Sequence, residues 1–265
     1  IWLTTWIDSF IIGLYLNEYY LGLYKSSIST VVAIFDIITK STTSVLFSAL
    51  SRVQDNDVKF KSIYFSMQKN VSYLVLPMSI GMFVYSDVVV SILLGPQWME
   101  ASPIVGIWGL AQGIVIVLAH YASEIYRAKG KPKLSFFAQL LFLSILVPVC
   151  YIYSKYDFMT FINARALVRI VFIVIQLIIM KRFIGIPINQ IIKNIRIPLQ
   201  SSIAMGVIGY ILKVLSSNFL WQLMSIFICI LVYLVILMSF KSSREDILNI
   251  MEKIGINKKL KIKYW

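Results

Sequence analysis

The sequence predicts an all-α membrane protein whose helices cross the bilayer about eight times. Hydrophobic residues make up 59% of the chain, charged residues only 14%, and the mean hydropathy is +0.81, so most of the surface must face lipid. Apolar runs recur along the chain, and all but the first are long enough for a hydrocarbon core that needs about 20 residues. The runs are 1–16, 21–50, 71–94, 103–126, 134–153, 158–180, 198–215 and 219–240.

Basic residues alternate between rich and poor connections, and this alternation predicts the topology. The segments after the second, fourth, sixth and eighth runs hold 19 of the 25 Lys and Arg residues, whereas the intervening connections hold only Lys155 and Lys213. By the positive-inside rule, the rich segments and both chain ends are cytoplasmic. The longest connections, 51–70 and 185–197, are predicted to be loops. Because the net charge of +13 sits beside the membrane, we expect membrane lipids rather than nucleic acid as the partner of these residues.

The two ends of the chain carry separate expectations. Ile1 is not an initiator Met, the first run is short, and no signal peptide is visible, so we expect the C-terminal part of a longer membrane protein. Residues 241–265 are predicted to be an amphipathic, basic, cytoplasmic tail. Ser242 and Glu245 have the spacing of a capping box and Gly255 suits a helix stop, so we expect a short interfacial helix over 244–254.

Two of the predicted spans carry a charged face. In the second run, polar side chains recur at helical intervals along one side: Lys25, Ser29, Asp36, Lys40, Thr43 and Ser44. In the sixth run, Arg165, Arg169 and Gln176 share a face with Phe172. Each charge near mid-membrane costs about 2.5–3.5 kcal/mol against lipid, so both faces must contact protein or water.

Two interpretations of these faces remain open. In the first, Asp36 and Lys40 neutralise each other, and the arginines snorkel or pair with Asp8 or Asp36 as a structural lock. In the second, the faces line a water-filled cavity with a cationic bias that receives an anionic group. We prefer the second because Ser and Thr fill the rest of the face, and because the planar donor fork of Arg suits phosphate.

Three further ionisable residues are candidates for binding a coupling ion. Asp8, near the middle of the first run, either binds a proton or a sodium ion or pairs with an arginine. His120 and Glu124 lie four residues apart near the end of the fourth run. They form either a proton relay or an interfacial hydrogen-bonded pair.

The sequence carries no signature of an enzyme. It contains no HExxH, GxSxG or Walker A motif and no tight carboxylate cluster for metal-assisted transfer. Cys150 and Cys229 lie inside apolar runs, so neither a disulfide framework nor a cysteine-based metal site is available. We therefore expect a transporter without catalytic residues, metal or cofactor, driven by an ion gradient, the membrane potential or the substrate gradient.

An ordered series of short motifs gives the chain a family resemblance. The series is Asp8 with Ile12-Gly13, Leu21-Gly22-Leu23-Tyr24, Ser51 and Asp55, Pro77, Leu94-Gly95-Pro96-Gln97-Trp98 with Ala101 and Pro103, and Arg127-Ala128-Lys129-Gly130-Lys131-Pro132-Lys133. In its order and its spacing relative to the spans, the series resembles the polysaccharide exporters, or O-antigen flippase-like proteins. These form a branch of the multidrug/oligosaccharidyl-lipid/polysaccharide flippase superfamily.

This resemblance implies both an architecture and a function. Residues 1–182 look like the second six-helix lobe of such a flippase with its first helix truncated, and residues 183–240 look like two additional C-terminal helices; the missing N-terminal lobe would be a partner. The implied activity is transfer of an undecaprenyl-diphosphate-linked oligosaccharide across the bacterial inner membrane by alternating access. It would serve O-antigen, capsule or exopolysaccharide synthesis beside other polysaccharide-assembly proteins.

Three competing classes of membrane protein predict different sequence features. An ion-coupled drug antiporter of the same superfamily predicts a cavity dominated by acidic residues, whereas cations outnumber acids on the two faces. A glycan polymerase or acyltransferase predicts a sizeable external loop or paired catalytic residues, and neither is present. A scaffold has little need for charged helix faces inside the membrane.

Overall fold

The computed structural model describes residues 2–253, and this part of the chain is helical with short connections. The helices are α1 (Trp2–Tyr15), α2 (Glu18–Ser51), α3 (Asp57–Val84), α4 (Ser86–Leu93), α5 (Ser102–Val115), α6 (Ala122–Ala128), α7 (Lys133–Tyr153), α8 (Phe158–Ile179), α9 (Ile188–Leu215), α10 (Phe219–Ser239) and α11 (Lys241–Lys253). A 3₁₀ turn, Pro96–Ala101, precedes α5, and single π turns, Ile116–His120 and Met180–Ile184, follow α5 and α8. The predicted all-α class is confirmed.

Five helical segments of the described chain are long and apolar enough to cross a membrane: α2, the continuous stretch Pro96–Ala128, α7, α9 and α10. Helices α3 and α4 together make a sixth, but they are bent by 88° at the break between them. Two of the eight predicted spans are not among these six. The apolar helix Trp6–Tyr15 within α1 is too short to span a membrane by itself, and α8 carries two arginines near its middle, Arg165 and Arg169. The chain is therefore a multi-pass helical membrane protein.

The prediction of a loop over residues 51–70 is wrong, because α3 already begins at Asp57. The Asn56 side chain accepts a hydrogen bond from the Lys59 amide at 3.0 Å and so caps the helix. Phe60 and Tyr64 are buried one turn apart, so this polar stretch has an apolar stripe that docks on the bundle. The third run therefore starts well inside an existing helix.

The predicted loop over 185–197 is also largely helical. Gly185 adopts a left-handed conformation (φ 75°) that ends the segment after α8, and α9 then begins at Ile188. Ile191 and Ile195 are buried on one face of α9. Pro198, which marks the start of the seventh run, lies inside this helix rather than at its beginning.

Helix α3 packs against both α5 and α9, and two glycines allow the α3–α5 contact. A Cβ atom on Gly113 would overlap the Ser79 side chain, and one on Gly109 would overlap Met82. Helices α9 and α10 form a second cluster against the same α3, where the Tyr85 hydroxyl donates to the Gly209 carbonyl at 3.0 Å. The shared α3 therefore joins the two parts of the bundle.

Contacts between basic segments place them at one end of the bundle. Lys129 lies 2.6 Å from the Asp57 carboxylate, and its hydrogen bond lowers the pKa of that carboxyl below its usual range. Lys131 donates to the Phe183 carbonyl at 2.9 Å. Lys69 pairs with Asp246 of α11 at 2.5 Å. The four segments predicted to be cytoplasmic therefore lie together, while their side of the membrane stays a prediction.

The predicted tail helix is present over its described part, but it begins before Ser242, so Ser242 and Glu245 do not form the predicted capping box. Helix α11 begins at Lys241 and follows α10 directly, and the Asp246 carboxylate also accepts a hydrogen bond from the Tyr73 hydroxyl at 2.8 Å. Ser242 accepts from Lys69 at 3.3 Å. The predicted stop at Gly255 lies outside the described residues, and the interfacial position of the helix stays a prediction.

Candidate functional site

Helices α1, α2, α5, α7 and α8 enclose a cavity of about 490 Å³, which we call the arginine cavity. Its polar and charged lining residues are Asp8, Ser9, Tyr24, Lys25, Ser29, Trp108, Gln112, Gln139, Arg165 and Arg169. Three of these side chains are cations and one is a carboxylate. Two sequence-predicted faces, those of α2 and α8, therefore meet across one cavity.

Asp8 and Arg165 form a buried ion pair in the wall of the arginine cavity. The Arg165 Nε donates to Asp8 Oδ2 at 3.1 Å, and the Tyr24 hydroxyl donates to the same oxygen at 2.7 Å. The other carboxylate oxygen accepts from the Ser9 amide at 2.8 Å. Asp8 is thereby saturated with donors from α1, α2 and α8. Of the alternatives for Asp8, the structure shows pairing with an arginine.

Arg169 has no such partner. One helical turn beyond Arg165, its guanidinium lies 4.0 Å from the centre of the Trp108 ring, and Nη1 donates to Gln112 Oε1 at 2.5 Å. Lys25 lies 4.4 Å from the centre of the Trp6 ring. Among the side chains that the structure describes, neither Arg169 nor Lys25 forms an ion pair with a carboxylate. The cavity therefore holds two positive charges that no acidic side chain balances.

Two buried donors of the same cavity also lack acceptors in the described structure. Arg165 Nη1 and Trp108 Nε1 are buried without a hydrogen-bond partner. An unmade hydrogen bond of this kind costs about 1–3 kcal/mol, and more for a charged group. Since both donors belong to residues that line the cavity, an anion bound there could accept from them.

A second cavity of about 1010 Å³ continues towards the basic segments, and we call it the loop-side cavity. Val115, Gln139 and Phe172 line both cavities and so form the passage between them. The charged and polar residues that line only the loop-side cavity are Asp36, Thr39, Lys40, Thr43, Ser44, Ser48, His120, Ser123, Glu124, Arg127, Ser135 and Gln176. The two cavities form one polar path along α2.

Charges in the loop-side cavity are neutralised in pairs. Lys40 lies 2.9 Å from Asp36, four residues away on α2, as the first interpretation of this face predicted. Arg127 Nη1 lies 2.9 Å from Glu124 Oε2. Unlike the arginine cavity, this compartment therefore has no excess of cationic over acidic side chains.

His120, Gln176 and Tyr126 are held by hydrogen bonds near this cavity. His120 Nε2 and the Thr43 hydroxyl are 3.4 Å apart, and the neighbouring Tyr121 hydroxyl is 2.7 Å from that of Thr42. Gln176 Oε1 accepts from the Tyr126 hydroxyl at 2.8 Å. Glu124 is paired with Arg127 rather than with His120, so the structure does not bring the predicted His120–Glu124 pair into hydrogen-bond contact.

The π turn Ile116–His120 sets which side chains reach this path. In a regular α-helix, Gln112 and His120 would point roughly 80° apart at about 100° per residue. One extra residue in a turn reduces this difference to roughly 20°, so both residues reach the same polar path. The periodicity of the sequence gives no sign of this insertion.

All ten predicted site residues line one of the two cavities. The arginine cavity holds Asp8, Lys25, Ser29, Arg165 and Arg169, and the loop-side cavity holds Asp36, Lys40, His120, Glu124 and Gln176. Sequence reasoning missed Trp108, Gln112, Gln139 and Arg127. Gln112 and Gln139 are the only amides in their helices, α5 and α7, and this isolation was an available signal.

The described residues offer no built metal site. In the part of the chain that the structure covers, no three His, Cys, Asp or Glu side chains come together so that they could hold a metal ion. Cys150 and Cys229 are both buried.

The fold and the site define a polytopic helical membrane protein with a cationic cavity inside the membrane. Residues 1–103 match the family described as "Polysaccharide biosynthesis protein". The chain is 27% identical over 141 residues to an "Uncharacterized membrane protein in cps region" of Klebsiella pneumoniae, covering 53% of this chain and 29% of that protein. It is 23% identical over 229 residues to the "Teichuronic acid biosynthesis protein TuaB" of Bacillus subtilis strain 168, covering 82% of this chain and 45% of that protein.

These matches confirm the resemblance predicted from the motifs, namely a resemblance to flippase-like membrane proteins of polysaccharide biosynthesis. The chain spans less than half the length of each of these two relatives. No solved structure matches it.

Proposed function

We propose that this chain forms one lobe of a membrane flippase that moves a lipid-linked oligosaccharide, carried on undecaprenyl diphosphate, across the bacterial inner membrane. Its similarity to membrane proteins of polysaccharide biosynthesis supports a role in making or exporting a polysaccharide. The path through two cavities supports transport rather than catalysis, because it provides a route along the helices. A second lobe, for which the greater length of the two relatives leaves room, would face this path.

The observation that carries the proposal is the unbalanced positive charge of the arginine cavity. Arg169 and Lys25 have no carboxylate partner in the described chain, and Arg165 Nη1 and Trp108 Nε1 are unused donors. A diphosphate offers several anionic oxygens to such a set of donors, and Arg binds phosphate bidentately through its planar fork. A drug cation would instead be repelled by the two unbalanced charges.

The two arginines take different roles in this proposal. Arg169 meets the diphosphate, since its guanidinium is free of acidic partners and is oriented by Gln112 and the Trp108 ring. Arg165 is a positioning residue, because its pair with Asp8 ties α8 to α1. From the sequence alone, the roles of Arg165 and Arg169 could not be distinguished.

Because the two cavities differ in net charge, their affinities for an anionic substrate should differ. The arginine cavity holds the diphosphate, and the loop-side cavity binds it weakly because its cations are already paired with Asp36 and Glu124. A path with a binding cavity at one end and a neutral cavity at the other suits alternating access, because the transporter must release its substrate as well as bind it.

The test is binding of undecaprenyl diphosphate to the full-length protein in lipid nanodiscs. Arg169→Ala should weaken binding about 10- to 100-fold, the range for a lost charge-assisted hydrogen bond, and Arg169→Lys should be intermediate. Arg196→Ala is the matched control, because Arg196 is an exposed arginine that lines neither cavity. Unchanged affinity in Arg169→Ala, or preferential binding of an organic cation by the wild type, would reject the proposal.

A further inference from the structure

Arg169 also lines a third cavity, which lies between α5, α8 and the end of α3. This cavity has a volume of about 400 Å³, and we call it the lateral groove. Its lining residues are Phe83, Ile107, Leu110, Ala111, Ile114, Asn163, Ala166, Leu167, Arg169, Ile170 and Ile173. Apart from Asn163 and Arg169, every lining side chain is apolar.

The groove follows from the helical spacing of its residues. On α5 the lining positions are 107, 110, 111 and 114, and on α8 they include 163, 166, 167 and 170. Both sets have the i, i+3, i+4, i+7 pattern of a single helix face. Ala111 and Ala166 supply small side chains on the two facing stripes. From Asn163 to Ile173 the groove extends about 15 Å at about 1.5 Å per residue.

The edge of the groove is open to the surroundings of the protein. Leu167 is 62% exposed, Ile170 56% and Phe83 49%. In a multi-pass membrane protein, an exposed apolar surface of this kind suits contact with hydrocarbon chains. The lateral groove therefore connects the lipid-facing surface with the arginine that also lines the arginine cavity.

We propose that the lateral groove binds the isoprenoid chain of the lipid-linked substrate next to its diphosphate, while the diphosphate is held at Arg169. This inference rests on the proposed function and adds the route of the lipid chain. A ligand that fits has an anionic head and an apolar chain, because the groove has one cation, Arg169, among lining side chains that are otherwise apolar apart from Asn163. The glycan would then move through the polar path while its chain stays in the membrane between α5 and α8.

The first test fills the groove. Ala166→Trp places a large ring on the α8 stripe, and Leu140→Trp is the control, since Leu140 is 53% exposed on α7 and lines none of the cavities named above. In the full-length protein, Ala166→Trp should weaken binding of undecaprenyl diphosphate at least about tenfold and leave binding of inorganic diphosphate unchanged. Equal affinity of Ala166→Trp and wild type for undecaprenyl diphosphate would overturn the inference.

The second test does not depend on tolerance of a large substitution. A photoactivatable benzoyl-phenylalanine at position 167 should cross-link to labelled undecaprenyl diphosphate in nanodiscs. Cross-linking to phospholipid alone, or to the N-terminal lobe, in the presence of bound substrate would overturn the inference. If wild-type protein binds neither undecaprenyl diphosphate nor inorganic diphosphate, the proposed function itself fails. If both bind but position 167 stays unlabelled, only the lateral route fails.

Discussion

Asp8 and Arg165 form the one ion pair among the described side chains in which both partners are buried, with 3.1 Å between Asp8 Oδ2 and Arg165 Nε. The pair joins α1 to α8 across 157 positions of sequence. One turn further along α8, Arg169 has the same chemistry and no carboxylate. Because of this difference, we expect Arg165 to contribute mainly to stability and Arg169 mainly to substrate binding. Variants of each arginine can measure the two contributions separately.

Removing the charge of Asp8 should destabilise the protein. Asp8→Asn leaves the Arg165 guanidinium buried without its counter-ion, and breaking a buried pair in this way costs about 3–5 kcal/mol. The double variant Asp8→Asn, Arg165→Gln should recover much of that loss, because no uncompensated charge remains. Unfolding of the full-length protein in mixed micelles with increasing SDS measures the change. Additive losses in the double variant would contradict a structural pair.

Replacing each arginine by methionine should separate their roles. Arg165→Met leaves the Asp8 carboxylate buried without its cation, whereas Arg169→Met removes a cation that has no acidic partner. We expect Arg165→Met to lower the free energy of unfolding by more than Arg169→Met does. Binding of undecaprenyl diphosphate should be weakened about 10- to 100-fold in Arg169→Met at nearly full protein abundance. Equal destabilisation by both variants would argue for a second structural lock.

The α3–α5 contact should not tolerate a single methyl group at Gly113. In Gly113→Ala the new Cβ would overlap the Ser79 side chain, so we expect a loss of about 1–3 kcal/mol. Gly22→Ala on α2 is the control, since no atom lies within 4 Å of the added Cβ. It should stabilise the helix by about 0.5–1 kcal/mol. Thermal unfolding of the two variants should therefore shift in opposite directions.

The predicted sidedness can be tested by thiol labelling in intact cells. In a background where the buried Cys150 and Cys229 are replaced by alanine, single cysteines at Gln97 or Lys155 should react with an impermeant reagent. Cysteines at Lys131 or Lys193 should be protected until the membrane is opened. All four positions are exposed on the protein surface, so labelling reports the side of the membrane. Labelling of Lys131 or Lys193 in intact cells would reverse the orientation.

The sequence predicted the lining of the cavities better than it predicted the helices that form them. Charges inside apolar runs had to avoid lipid, so Lys25, Arg165 and Arg169 could be placed on protein-facing sides without knowing what they touched. Their partners could not be predicted in the same way. The pairing of Asp8 with Arg165 rather than Arg169 depends on how α1 is rotated against α8, which periodicity does not fix.

Helix boundaries were less predictable because hydropathy reports the lipid-facing part of a helix. The first turns of α3 and α9 are mostly polar, although Phe60 and Ile191 are buried there. A cap at Asn56 was a usable signal for the first of them. The 88° bend between α3 and α4 falls at Tyr85 and Ser86, where neither proline nor glycine marks it.

The π turn at Ile116–His120 also bears on how relatives of this chain should be compared. One residue of this segment is an insertion within a membrane-embedded helix, not in a connection. A homologue with a regular helix here would be shorter by one position, and its alignment gap would fall in the middle of a hydrophobic span. If the gap were placed in the nearest loop instead, each residue between the π turn and that loop would be aligned one position out of register. Each would then be paired with a residue whose side chain points in a different direction around the helix.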